Sequence, residues 1–109
     1  MAQHQVQGSV FEVADLVSYQ DGAIVTKIVV KSPKGSATVF SFDQGQELSE
    51  HTAPFDAFVH VLHGEAEIGL GGATHHLRQG QGIVMPANQP HSVKAVQKLK
   101  MMLTMIKEQ

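Results

Sequence analysis

GQELSEHTAPFDAFVHVLHG, residues 45–64, and GQGIVMPANQPHSVKA, residues 80–95, decide how this chain folds. Each stretch opens on a Gly and places a His at a set distance. Gly45 is followed after five residues by His51, and Gly80 after five residues by Pro86, with His91 beyond it. Between such glycines the chain is rich in Val, Ile and Phe, which suit a pleated, half-buried backbone.

Working outward, turn chemistry recurs along the whole sequence. Asp21-Gly22, Ser32-Pro33-Lys34-Gly35, His63-Gly64, Gly71-Gly72 and Asn88-Gln89-Pro90 all read as turns. Signals spaced roughly 8 to 15 residues apart are those of an all-β sandwich or barrel. The segments between them alternate. In residues 98–106, Leu99, Met101, Leu103 and Met105 fall on one face and belong inside. Lys98, Lys100, Met102, Thr104 and Ile106 fall on the other. In residues 23–31, Ile24, Thr26, Ile28 and Val30 share a face, opposite Val25, Lys27, Val29 and Lys31. Apolar residues on both faces of these two strands predict that part of the outer surface is covered, most simply by a homodimer. Residues 9–17 fit a first, edge strand or a single helical turn, and the edge strand is the reading taken here.

Composition narrows the classes. A chain of 109 residues builds one domain, residues 1–109, around one core. With a net charge of -2 and scattered Lys and Arg, it has no basic stripe for a nucleic-acid partner. No apolar run reaches the roughly 18 residues of a membrane span. The polar start, residues 1–9, lacks the apolar core of a secretory signal. Without Cys there is neither disulfide nor thiolate chemistry, and a cytoplasmic location is expected. Standard phosphate loops are missing, and no nucleophile-elbow pattern surrounds Ser49 or Ser92. Glu47, Glu50 and Asp56 read as solvated loop carboxylates, and His4, His60, His63 and His76 as surface residues.

The two stretches resemble the paired signatures of the cupin superfamily. Gly45, His51, Ala53, Ala57 and Gly64 keep the register of the first, in which positions 53 and 57 are ordinarily a second His and a Glu or Gln. Gly80, Pro86, Asn88, His91 and Ala95 follow the second, with Asn88 where a Gly is usual; Asn tolerates positive φ. The resemblance spans about residues 40–95. It implies a double-stranded β-helix, a jelly-roll barrel of two antiparallel sheets. It also implies functions ranging from dioxygenases, isomerases and epimerases to non-catalytic binders of small molecules, so an enzyme and a binder both stay open.

In metal-holding relatives, three imidazoles and one carboxylate or amide hold a divalent ion. Here His51 and His91 remain, with His60 or His75 as candidates for a third ligand of Zn, Ni, Fe or Mn. Alternation from position 57 turns 59 and 61 inward and 60 outward, unless a bulge near Pro54 changes the phase. His75 has the inward phase. The leading expectation is a small molecule held in a pocket of His51, Ala53, Ala57, Val59, Met85 and His91. Ala53 and Ala57 would enlarge that pocket and lower its polarity. The alternative is a metal-dependent cupin enzyme with a reduced His51/His91 site.

Overall fold

The computed structural model describes residues 8–107. His4 and the ends of the expected domain, residues 1–7 and 108–109, lie outside the described residues. Nine strands follow one another: β1 Ile24–Ser32, β2 Gly35–Phe42, β3 Glu47–His51, β4 Asp56–His63, β5 Glu65–Leu70, β6 Ala73–Arg78, β7 Gly82–Met85, β8 His91–Ala95 and β9 Leu99–Ile106. They form two sheets, a five-stranded one in the order β1-β2-β9-β4-β7 and a four-stranded one in the order β3-β8-β5-β6. All the pairings are antiparallel. The turn spacing pointed to an all-β sandwich or barrel and the cupin resemblance to two antiparallel sheets, and both are found.

The sheets close on one apolar core. Val59, Val61, Ala57 and Met85 enter it from β4 and β7, Leu99 and Met101 from β9, Phe42 from β2, and Ala66, Ile68, Leu77, Val93 and Ala95 from the smaller sheet. Inward and outward residues alternate along β4, where Ala57, Val59 and Val61 are buried between the exposed Asp56 and Phe58 and the half-buried His60. The inward set of β9 is the one read from the sequence, since Leu99 and Met101 are fully buried.

Two local readings need correction. Residues 9–17 are not an edge strand. Val13–Leu16 forms one 3₁₀ turn, and Val17 is buried. The segment lies across the outer face of the five-stranded sheet, and side chains from that face take its polar groups. Ser41 Oγ donates to the Ser18 carbonyl at 3.0 Å and Lys100 Nζ to the Ala14 carbonyl at 2.6 Å. Tyr19 Oη and His63 Nδ1 are hydrogen-bonded at 2.5 Å. The Ala14 and Ser18 carbonyls are thus bonded by side chains rather than by a ladder partner. Partial burial pushes the Tyr19 phenol pKa up.

The second correction is in β1. Its pairing with β2 shifts between Ile28, opposite Thr38, and Val30, opposite Ala37. The extra residue, Val29, turns Val30 onto the outer face, away from Ile24 and Ile28. Strict alternation cannot show such a slip.

The glycines of the two signatures hold turns. Gly45, Gly64 and Gly80 have φ of 86°, 85° and 86°, and Asn88 has a φ of 67°. Between β2 and Gly45, the Asp43 carboxylate accepts hydrogen bonds from Gly22 N at 2.7 Å and Gln44 N at 2.9 Å. Those two N–H groups hold its pKa below the usual carboxylate value. Gly64 is the tightest of the three, since a Cβ there would run into the Lys98 carbonyl oxygen and backbone. Gly64→Ala combines a left-handed φ with a backbone clash. It should cost about 3 kcal/mol in urea unfolding. Gly45→Ala, with open space around its Cβ, should cost about 1 kcal/mol. Equal losses would contradict the clash.

Candidate functional site

His51 closes β3 and His91 opens β8, and the two are directly paired. Their rings lie edge to face, with centroids 4.3 Å apart and planes inclined by 69°. A register slip brings them together. Leu48 pairs with Val93, and the next pair is His51 with His91, so β3 advances three residues while β8 advances two. The extra residue on β3 brings His51 to the side of the sheet that carries the inward-facing Leu48. In unbroken alternation His51 would face the opposite way. Nothing in the residues 48–51 themselves announces the slip, and the inward direction was legible only through the register of the motif.

The two imidazoles are set in the same manner. His51 Nδ1 lies 2.7 Å from the Ser49 carbonyl, and His91 Nδ1 lies 3.1 Å from the Gln89 carbonyl. A carbonyl oxygen only accepts, so each neutral ring carries its proton on Nδ1 and leaves Nε2 as an acceptor. His91 is buried, whereas His51 is exposed at the rim.

The loops that carry the pair are tied to each other. Asn88 N donates to the Ala53 carbonyl at 2.8 Å, and Ala87 N donates to Asp56 Oδ1 at 2.9 Å. Asp56, read as a solvated loop carboxylate, is therefore a fastener between the start of β4 and the turn before β8. Its reading as a solvated carboxylate missed this role.

Ala57 is buried and Ala53 half-buried. Val59 and Met85, expected to line the pocket, are closed into the core cluster beside Phe42 and Met101. Open space lies instead along Met105, which pairs with Ala57. There Ile28, Thr38, Phe55 and Met105 wall a cavity of about 380 Å³ under the β1–β2 turn. Its size falls within the range of small-molecule sites, and its wall is mainly apolar.

Neither candidate third ligand joins the histidine pair. His60 is on the outer face of β4, its ring stacked on Phe58 at 6.2 Å. The alternation counted from position 57 therefore holds, with no bulge near Pro54 to reverse it. His75 pairs with Ile68, whereas His91 pairs with Leu70 on the same strand. That places His75 two strands and one row away, about 12 Å between backbones. It faces a separate cleft with Thr74, Leu77 and Ile83. Among the described residues no group of three or more His, Asp or Glu is arranged to hold a metal ion.

The unequal burial of the pair has a consequence for stability. Removing the His91 ring opens a hole at a buried position and breaks its contact with the Gln89 carbonyl, whereas removing the His51 ring takes away only an exposed one. His91→Ala should cost about 2 to 3 kcal/mol and His51→Ala less than about 1 kcal/mol in urea unfolding. The reverse order would contradict the burial described.

Known proteins share this fold. A conserved protein of unknown function from Streptococcus pyogenes superposes with a TM-score of 0.90 at 35% identity, covering 94% of this chain and 90% of its own. A cupin 2 conserved barrel domain protein from Leptotrichia buccalis gives 0.86 at 40% identity, over 89% of this chain and 47% of its own. Among curated proteins, the polyketide synthase CurC of Streptomyces cyaneus is 31% identical over 74 residues, 67% of this chain and 48% of that protein. The chain spans about half the length of the curated relatives it matches. No helix of the described residues is long and apolar enough to cross a membrane. The cupin domain family model matches residues 38–107, and with two antiparallel sheets and both signature histidines in one place, the chain belongs to the cupin family.

Proposed function

We propose that this cupin binds a small molecule in the barrel. The ligand's polar group meets the Nε2 atoms of His51 and His91, and its carbon body lies against Ala53, Ala57, Phe55 and Met105. The observation that carries this reading is the histidine pair itself. Two imidazoles with ring centroids 4.3 Å apart, each with Nδ1 committed to a backbone carbonyl, hold two acceptors side by side, and an apolar cavity runs along Phe55 and Met105. Such acceptors match a hydroxyl, phenol or enol, which donates a proton and is otherwise carbon-rich. The curated relative named a polyketide synthase supports a ligand of this kind, because polyketides are carbon skeletons bearing oxygens. A cytoplasmic location goes with this reading, on the absence of Cys.

A metal-dependent enzyme is the second reading, favoured by one feature. Histidines that hold metals usually donate the other ring nitrogen to a carbonyl or carboxylate, as both do here. The donor set argues against a resident ion. Catalytic centres ordinarily supply three protein ligands, and Ala53 and Ala57 remove the positions that would complete them. Among the described residues the donor set therefore does not fit a resident Zn, Ni, Fe or Mn, and no catalytic step is assigned to one.

Native mass spectrometry and elemental analysis of the untagged protein separate the two. A retained organic molecule, lost from both His51→Ala and His91→Ala, is the expected result. A near-stoichiometric transition metal lost from both variants would replace this reading with the enzyme. Ala53→His adds an imidazole two positions from His51 and should tighten Zn binding by more than about tenfold. Unchanged zinc affinity would contradict the placement of position 53 beside the pair.

A further inference from the structure

The extra residue in β1 does more than turn Val30 outward. Beyond it, Lys31 pairs with Ser36, Ser36 with Met105, Met105 with Ala57 and Ala57 with Met85. Ala57 and Met85 are buried in the core, so this row lies on the inner face of the five-stranded sheet. Unbroken alternation from Ile24 and Ile28 would set Lys31 on the outer face with Lys27. The bulge instead brings a lysine into a row whose other members are Ser36, Met105, Ala57 and Met85, none of them charged.

That lysine borders the cavity under the β1–β2 turn. Ile28, Pro33, Phe55 and Met105 give the cavity its carbon wall, and Ser32 and Ser36 add hydroxyls. Lys31 is the one charged side chain of the lining, and no carboxylate faces it there. Ser32 Oγ accepts a hydrogen bond from Lys34 N at 3.3 Å, which leaves its own hydrogen to offer to an acceptor.

Two further lysines belong to the same end of the sheet. Lys34 is in the turn itself, and Lys107 N donates to the Lys34 carbonyl at 2.7 Å. Asp56, opposite Ile106, is committed elsewhere, since its Oδ1 accepts from Ala87 N. Lysines gathered at one end favour the approach of an anion. A lysine at the exposed end of a strand ordinarily extends into water. Lys31 differs in standing on the inner face, as the single charge over an apolar wall.

We infer that Lys31 is a specificity-determining residue, and that it pairs with a carboxylate on the end of the ligand that lies under the β1–β2 turn. The inference rests on the proposed binding of a hydroxyl-bearing carbon skeleton in the barrel, and it narrows that ligand to a hydroxy acid. One ammonium balances one negative charge, which suits a carboxylate better than a dianionic phosphate. Three strand spacings, about 14 Å, separate the backbones of Lys31 and Ala57. The ammonium and the alanine that touches the carbon body are therefore well apart along the row.

Calorimetric titration with 6-hydroxy-2-naphthoate and with 2-naphthol tests this. The two probes share the phenol and the rings and differ by the carboxylate, which is ionised at a pH of about 7 while the phenol is neutral. Wild-type protein should bind the acid about tenfold more tightly, and added salt should shrink that preference. Lys31→Met keeps the unbranched stem and should abolish the preference by weakening the acid alone. Lys31→Arg should retain it, and so should Lys27→Met on the outer face. Thermal melts check that each variant is folded. Equal affinity of the wild type for both probes, or a preference that survives Lys31→Met, would overturn the inference and leave binding in the barrel standing. Failure to bind either probe would tell against the barrel site itself, and the inference would fall with it.

Discussion

The pairing of β3 with β8 through one extra residue is the constraint on which the site rests. It reverses the side on which β3 presents its residues between Leu48 and His51, and so brings the His51 ring against His91. The carbonyls of Ser49 and Gln89 then settle which ring nitrogen carries the proton. Neither imidazole is chosen by its own intrinsic chemistry. Each is oriented by backbone two residues earlier in its own strand or turn. The fastening of Ala87 by Asp56 and of Asn88 by the Ala53 carbonyl holds the two loops in step.

The all-β character was legible in turn chemistry and period-two alternation, and the arrangement in two antiparallel sheets in the cupin resemblance carried by residues 45–64 and 80–95. Asn88, standing where a glycine is usual, takes a φ of 67°, as an Asn can. The inward face of β9 followed directly from alternation. What escaped the sequence were bulges and non-repetitive backbone. The slip in β1 moved Val30 to the outer face, and side-chain anchors turned residues 9–17 into a strap. In both places long-range contacts, absent from local pattern, decided the outcome.

The site was legible in its histidines and less so in its walls. His51 and His91 come together as their spacing suggested. Val59 and Met85 are closed in the core, and the open space shifts toward Phe55 and Met105. Depth within a barrel depends on how far each strand is staggered against its neighbours, and alternation fixes only the side. For the same reason His75 has the inward phase yet sits two strands from the pair. The positions lost from the motif, Ala53 and Ala57, say most about chemistry. In the proposed reading they put apolar side chains where metal-holding cupins place ligands.

The proposed function requires that both imidazoles leave Nε2 unprotonated. Long-range proton–nitrogen NMR correlation of selectively labelled histidines tests it at a pH of about 8, where an ordinary imidazole is neutral. The account predicts that His51 and His91 each show a protonated Nδ1 and a bare Nε2. A proton on Nε2 of either ring would contradict the account, because that ring would then donate and the pair of acceptors would not exist.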